Sequence, residues 1–196
     1  PRSAPPGPLC PCLSLFLADA PLADVFTERL ARVLAGVRIG APLDASVLMG
    51  PLVSCTAHAR VSRYRDLAAR AGGTRVATAA RELPPPWLAP GLVRFPTAEQ
   101  GHAYQRDEIF GPEAALYPVA DLDEAIAAAN DADYGLAASV MTRDRSRYAY
   151  CIGRVRTGIL NWNRGTIGAS GRLPFGGRGR SGNDRPAGIL SALYCT

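Results

Sequence analysis

Between Gly158 and Gly182 the chain reads GILNWNRGTIGASGRLPFGGRGRSG. A short apolar strand, Gly158–Trp162, opens this stretch. Beyond Trp162 the chain is rich in Gly, Ser, Asn and Arg. Backbone this irregular, with Pro174 and Phe175 set inside it, is not a solvated linker. Glycines at 165, 168, 171, 176, 177, 179 and 182 permit positive φ and close main-chain approach to something. That something is a phosphate, a nucleic acid or the wall of an active site. Each makes different chemical demands, and the remainder of the chain discriminates among them.

The phosphate reading weakens first. The sequence contains no lysine; all 22 basic side chains are arginine. A P-loop lysine, a Schiff-base lysine and a Ser-Lys dyad are therefore excluded. The nucleic-acid reading weakens next. Net charge is +5, but the arginines are scattered, and Arg178 with Arg180 is the nearest thing to a patch. Use of arginine alone, with abundant Ala, Gly and Pro, points to a GC-biased genome rather than to a phosphate-binding surface. We therefore expect no nucleic-acid partner. An arginine-glycine arm at Gly176–Gly182 would require steeply salt-dependent binding.

With 196 residues, 47% of them apolar and 20% charged, the chain belongs to the globular class and is long enough for one domain with a real core. No apolar run approaches the length of a membrane helix, and no signal-peptide pattern is present, so no membrane partner is expected. The five cysteines, Cys10, Cys12, Cys55, Cys151 and Cys195, are odd in number and irregularly spaced. They imply a reduced, cytoplasmic setting and no disulfide framework. Cys10-Pro-Cys12 lacks the second pair that a zinc site needs, and His58 and His102 are isolated, so no metal is expected.

Periodicity supplies the elements. Residues 1–9 are Pro-rich and irregular. Leu13–Leu17 reads as a buried strand. Leu22, Val25, Phe26, Leu30, Val33, Leu34 and Val37 recur at helical spacing behind Pro21, giving an amphipathic helix to about Ala35. Ser54 is placed to cap a second helix with Val61, Tyr64, Leu67 and Ala68 on its inner face, and Gly72-Gly73 ends it. Thr74–Ala77, Gly91–Phe95 and Ala114–Val119 read as strands. Asp121 with Glu124 three residues on is a capping-box pattern for a helix over Leu122–Asn130. Ala137–Thr142 is a strand, Asp144–Val155 a helix, and Gly158–Trp162 a strand. Strands alternating with helices predict an α/β fold, a mostly parallel sheet with flanking helices. In such sheets ligands bind beyond the carboxyl ends of the strands.

Three clusters can carry chemistry. Cys10 is a candidate nucleophile; taken alone it reads first as a structural thiol beside a strand. Glu108-Ile109-Phe110-Gly111-Pro112 is a rigid turn presenting a carboxylate and an aromatic ring; taken alone it is a capped turn with a core Phe. Pro174-Phe175-Gly176-Gly177 is, taken alone, a surface turn followed by a disordered arginine-glycine segment.

Together and in order, these clusters resemble the catalytic domain of the aldehyde dehydrogenase superfamily over almost the whole chain. Met49-Gly50-Pro51-Leu52-Val53-Ser54 is similar to the family's M-G-P-L-I-S. Arg106–Pro112 is similar to its E-E-I-F-G-P. Asp121–Asn130 with Tyr134–Val140 is similar to LDEAIALAN…YGLAASV, and Pro174–Gly177 with Ser181-Gly182 to P-F-G-G…S-G. Within the family, Gly158–Arg164, Gly168–Ser170 and Ser181–Ala187 most resemble the branch acting on N-succinylglutamate semialdehyde in arginine catabolism.

The resemblance implies oxidation of an aldehyde to a carboxylic acid with NAD or NADP as cofactor, through a cysteine thiohemiacetal and thioester. It implies Cys10 as nucleophile. It implies Glu108 at the nicotinamide ribose and Phe110 near the nicotinamide. Gly168, Ala169 and Ser170 would anchor the far end of the aldehyde, and Phe175 would close the pocket. A homo-oligomer is implied for a full-length enzyme. The catalytic domain would occupy residues 10–196. The family's nucleotide-binding domain, with its general-base glutamate and oxyanion asparagine, would precede it, and the C-terminal tail would be truncated. We expect this chain alone to be inactive. Gly7-Pro8-Leu9-Cys10-Pro11 departs from the family's Gly-Gln-Arg/Val-Cys. The alternative is a non-catalytic remnant or interaction module derived from such an enzyme.

Overall fold

The computed structural model describes residues 12–77, 83–98, 103–193 and 195. Its centre is strand β4, Glu113–Val119. The sequence EAALYPV lacks the polar alternation of a half-exposed strand, and β4 is buried along most of its length. It lies between two parallel neighbours, β1 (Leu15–Asp19) and β3 (Gly91–Arg94). Leu17 stands opposite Tyr117, and Val93 opposite Ala115. Strand β2, Thr74–Ala77, adds to β3 antiparallel, giving the order β1-β4-β3-β2. The sheet is thus mixed, parallel over three of its four strands, as the α/β reading predicts.

Side chains of successive β4 residues point to opposite faces, so one strand organises two cores. Ala115 and Tyr117 meet Val61, Tyr64 and Ala68 of helix α2 (Cys55–Arg70), together with Val93 and Phe95. The Phe95 and Tyr117 rings stack with centroids 4.8 Å apart. On the other face, Leu116 and Leu92 pack against Ala23, Leu30 and Leu34 of helix α1 (Ala20–Ala35).

Helix α1 shows how far periodicity carries. The segment is helical as predicted, but its apolar residues divide into two stripes. The stripe built on Ala23 meets the sheet. Leu22, Val25 and Val33 are 61%, 50% and 66% exposed. Small Ala23 lets the helix approach Leu92 and Leu116 closely, which the larger neighbours would prevent. Thr27 shares the inner face, and its hydroxyl donates to the Ala23 carbonyl at 2.6 Å.

Caps follow their sequence signals. The Ser54 hydroxyl accepts from the Ala57 N–H at 3.1 Å and starts α2. Past α2, Gly72 turns the chain at φ 80°. Asp121 accepts from the Glu124 N–H at 2.8 Å and starts α4, Leu122–Asn130. The Glu124 carboxylate returns to the N–H of Ala120, one residue before the position a capping box specifies. A short helix α3, Ala103–Arg106, precedes β4 and has no sequence signal of its own.

The remaining chain builds three small pairings. Strand β6 (Ala137–Val140) pairs parallel with β7 (Ile159–Trp162). Strand β5 (Tyr134–Gly135) pairs with β9 (Arg178–Gly179), and β8 (Pro174–Phe175) with β10 (Ala187–Gly188), both antiparallel. Between β6 and β7, helix α5 runs only over Arg145–Cys151, shorter than the Asp144–Val155 that periodicity predicts. Ile152 is already extended, and Gly153 turns back at φ 79°. A 3-10 helix, Ile189–Leu193, follows β10. The arginine-glycine run after β7 is therefore not a disordered arm: Arg178-Gly179 within it is a paired strand, and Pro174-Phe175 just before it is another.

Candidate active site

The turn between α3 and β4 carries Glu108 and Phe110. Its middle residue, Ile109, enters the core at 8% exposure. Phe110 turns outward, 40% exposed, on a left-handed backbone at φ 54°. A core-Phe reading of this turn is thereby overturned: the aliphatic residue is the anchor and the ring is presented. Glu108 is exposed beside it. Partial desolvation lifts its carboxyl above the usual carboxylate range, and the nearby Arg60 guanidinium opposes this.

Helix α2 holds this turn from end to end. Its residues 60, 61, 64 and 65 lie on one face, because a helix repeats near every four residues. The Tyr64 hydroxyl donates to the Asp107 carboxylate at 2.6 Å, one residue before Glu108. The Arg60 guanidinium donates to the Phe110 carbonyl at 3.3 Å, and its central carbon lies 5.9 Å from that ring's centroid. Val61 fills the space beside Gly111, so any side chain there would collide with it. Arg65 Nε donates to Glu113 Oε1 at 2.7 Å, and its terminal nitrogen donates to the Ala89 carbonyl at 2.6 Å.

Glu113 itself is buried, and the Tyr104 hydroxyl donates to its other oxygen at 3.3 Å. Its carboxylate occupies the place a side chain at position 91 would need, which is why Gly91 faces it. Burial pushes the Glu113 carboxyl up, while Arg65 and Arg75 pull it down; the balance is upward.

Sequence reasoning placed Val61 and Tyr64 on the inner face of α2 but missed Arg60, Arg65 and Glu113 as the frame of the turn. One signal was available. A glutamate opening an otherwise apolar strand must be paired when buried, and Arg65 beside an inner-face Tyr64 was the partner within reach.

A second group of residues frames the loop after β7. Trp162 Nε1 and Asn163 Nδ2 both donate to the Thr142 carbonyl, at 2.9 and 2.8 Å. Asn163, left-handed at φ 52°, also accepts from the Thr142 N–H at 2.8 Å. The Tyr148 ring stacks on Trp162 at 5.2 Å. Asn161 donates to the Gly165 carbonyl at 2.8 Å, and Ser139 to that of Arg164 at 2.5 Å. Arg164 donates across the loop to the Gly168 carbonyl at 3.2 Å.

The loop so framed exposes Gly168, Ala169 and Ser170. Gly168 needs its glycine, since its φ is 92°. Ser170 accepts from the Arg172 N–H at 3.2 Å. Phe175 is half-buried on β8, opposite Ala187. Among the described residues, Glu108 and Phe110 make no hydrogen bond or ring contact with Gly168–Ser170 or Phe175, so the structure presents two separately framed groups. Cys10 lies outside the described residues. Among those described, no cluster of His, Cys, Asp and Glu is arranged to hold a metal ion, and no helix is long and apolar enough to cross a membrane.

The sequence profile of the aldehyde dehydrogenase family matches residues 5–196. The chain belongs to the aldehyde dehydrogenase family. It is 37% identical over 191 residues to N-succinylglutamate 5-semialdehyde dehydrogenase 1 of Caulobacter vibrioides, covering 96% of this chain and 40% of that protein. It is 34% identical to N-succinylglutamate 5-semialdehyde dehydrogenase of Vibrio cholerae, covering 96% of this chain and 39% of that one. It thus spans about two fifths of the length of the curated aldehyde dehydrogenases it matches. Among solved structures, PnpE in complex with nicotinamide adenine dinucleotide superposes with a TM-score of 0.82 at 28% identity, over 91% of this chain and 37% of that chain.

Proposed function

We propose that the chain is the cysteine-bearing part of an NAD(P)-dependent aldehyde dehydrogenase acting on a semialdehyde of the N-succinylglutamate type. The observation that carries this reading is the α3–β4 turn. Within a family match spanning residues 5–196, it holds Ile109 in the core and presents Glu108 and Phe110 outward. Those two groups suit a nicotinamide nucleotide: an exposed carboxylate accepts from ribose hydroxyls, and an exposed ring face packs against a planar heterocycle. When bound, the nicotinamide supplies the hydride acceptor.

The chain's own residues do the rest. The Cys10 thiolate adds to the aldehyde carbon and carries it covalently, first as a thiohemiacetal and then as a thioester that water releases as the acid. Its N–H supports the oxyanion formed on addition. Exposed N–H groups of Gly168–Ser170 and the Ser170 hydroxyl receive a carboxylate at the far end of the substrate. Phe175 closes the pocket. The chain by itself turns over no aldehyde, because the resemblance assigns the activating glutamate and most cofactor contacts to the part of the relatives it does not span. The complete enzyme is a cytoplasmic homo-oligomer.

A chimera tests this. Residues 5–196 replace the matching segment of the Caulobacter enzyme, and reduced cofactor is followed with N-succinylglutamate semialdehyde. Turnover that disappears in Cys10→Ser is expected. A folded chimera without turnover overturns the reading, and reduced cofactor produced by the 196-residue chain alone overturns the claim that it is inactive by itself.

A further inference from the structure

A left-handed backbone at a bulky residue costs free energy and persists only where surrounding contacts enforce it. Phe110 is such a residue. Ile109 pins the turn from the core side and Val61 presses on Gly111. Among the described residues, one side chain bonds to Phe110 and meets its ring. Arg60 donates to the Phe110 carbonyl at 3.3 Å, its guanidinium lies over the ring, and its charge acts on the Glu108 carboxylate. Carbonyl, ring and carboxylate are three separate interactions, and all three end on the presented residues of one turn. Tyr64 and Arg65, by contrast, grip Asp107 and Glu113 at the turn's two ends, next to the core. Arg60 is itself exposed and is not part of the buried core.

We propose that Arg60 is a positioning residue that holds Phe110 in its left-handed conformation and thereby fixes the direction in which Glu108 and Phe110 are presented. An arginine suits this role better than a lysine. Its planar fork can donate to a carbonyl while its face covers a ring, whereas an ammonium supplies only the charge. The bearing of this on catalysis rests on the proposed reading of the turn as a cofactor contact.

The test compares the chain with Arg60→Ala and Arg60→Lys. NMR follows the Phe110 amide and ring resonances and the Glu108 carboxyl titration. In R60A the Phe110 resonances are expected to shift and Glu108 to titrate at higher pH, with the rest of the spectrum unchanged. In R60K the Glu108 titration is expected to return toward that of the parent, while the Phe110 resonances stay displaced. Unchanged Phe110 resonances and Glu108 titration in R60A overturn the proposal. Should R60A not fold, R60K decides through the Phe110 resonances alone. The same substitution in the chimera separates the two readings. There R60A is expected to raise KM for NAD+ by about 3- to 10-fold, the worth of one hydrogen bond, with a smaller change in kcat. A displaced turn with unaltered kinetics would leave the positioning role standing and remove the cofactor reading.

Discussion

The Tyr64 hydroxyl and the Asp107 carboxylate are joined at 2.6 Å, tying the middle of α2 to the residue before Glu108. The bond holds the Tyr64 phenol above its usual pKa, because proton loss would place two anions face to face. The Tyr64 ring is buried, at 6% exposure, and its hydroxyl reaches the exposed Asp107 carboxylate at the edge of the core. Tyr64→Phe keeps the ring packing and removes only this bond. A loss of about 1.5–3 kcal/mol is expected, the range for hydrogen bonds to charged groups. Urea unfolding of the variant reads it directly, and a stability equal to the parent's would show that the bond adds nothing.

Arg65 and Glu113 make the buried ion pair of the molecule's described part, with the Glu113 side chain fully enclosed. Removing one partner strands the other, so Glu113→Ala is expected to cost about 3–5 kcal/mol. Glu113→Gln keeps an acceptor for Arg65 and costs less. The pair also sets a pH dependence. Burial holds the Glu113 carboxyl above its usual 4.5, so the folded chain keeps this proton to higher pH than the unfolded one. Between the unfolded and folded pKa, unfolding releases a proton, and rising pH lowers the stability this group contributes. That contribution is complete below the unfolded pKa. Subtracting the E113Q stability profile from the parent's, from pH 4 upward, should isolate a decline. A difference that grows with pH would reverse the assignment.

Thiol labelling separates the cysteines by environment. Cys151 is 1% exposed and its thiol is pushed up by burial, so iodoacetamide should reach it last. Cys12, Cys55 and Cys195 are exposed and set the baseline rate. If Cys10 is an activated nucleophile in this chain, it reacts ahead of them near neutral pH. Mass spectrometry of tryptic peptides gives the order; labelling of Cys10 no faster than Cys55 would mean that its activation needs residues this chain does not hold.

The sheet was legible because its signals are local. Ser54 and Asp121 announce their helices, and the unbroken apolar run of β4 announces a strand buried on both faces. Helix α1 was legible as a helix but not as a packed one. Seven apolar residues at helical spacing cover more than one face, and the choice fell to Ala23, whose merit is its small size against Leu92 and Leu116. Phe110 was ambiguous because Ile109 competes with it for the core, and which of two adjacent apolar residues turns inward depends on α2, fifty residues away. Tyr64 was legible as an inner-face residue, but Arg60 and Arg65 escaped for the same reason: their partners are distant in sequence, and taken singly they look like an ordinary solvated helix face.

The stretch from Gly158 to Gly182 offers the sharpest contrast. Gly158 begins this stretch and Gly176 lies in its P-F-G-G turn, yet their backbones touch. A Cβ at Gly158 would collide with the Gly176 carbonyl oxygen, and the obstacle is backbone, which no rotamer change relieves. At Gly165, by contrast, a Cβ would meet nothing within 4 Å, and the φ there is not left-handed. Gly158→Ala must therefore push β7 away from the segment carrying Phe175, whereas Gly165→Ala inserts a methyl into open space. The first is expected to cost upward of about 2 kcal/mol, lowering the thermal midpoint by roughly 4–8 °C for a chain of this size. The second is expected to fall within about 0.5 kcal/mol of the parent, as for substitutions away from packed features. Placed in the chimera, G158A should also weaken use of the aldehyde if Phe175 closes the pocket as proposed, because it moves the segment carrying Phe175, while G165A should not. Equal effects of the two substitutions on the thermal midpoint would mean that Gly158 and Gly176 do not meet as the structure has them.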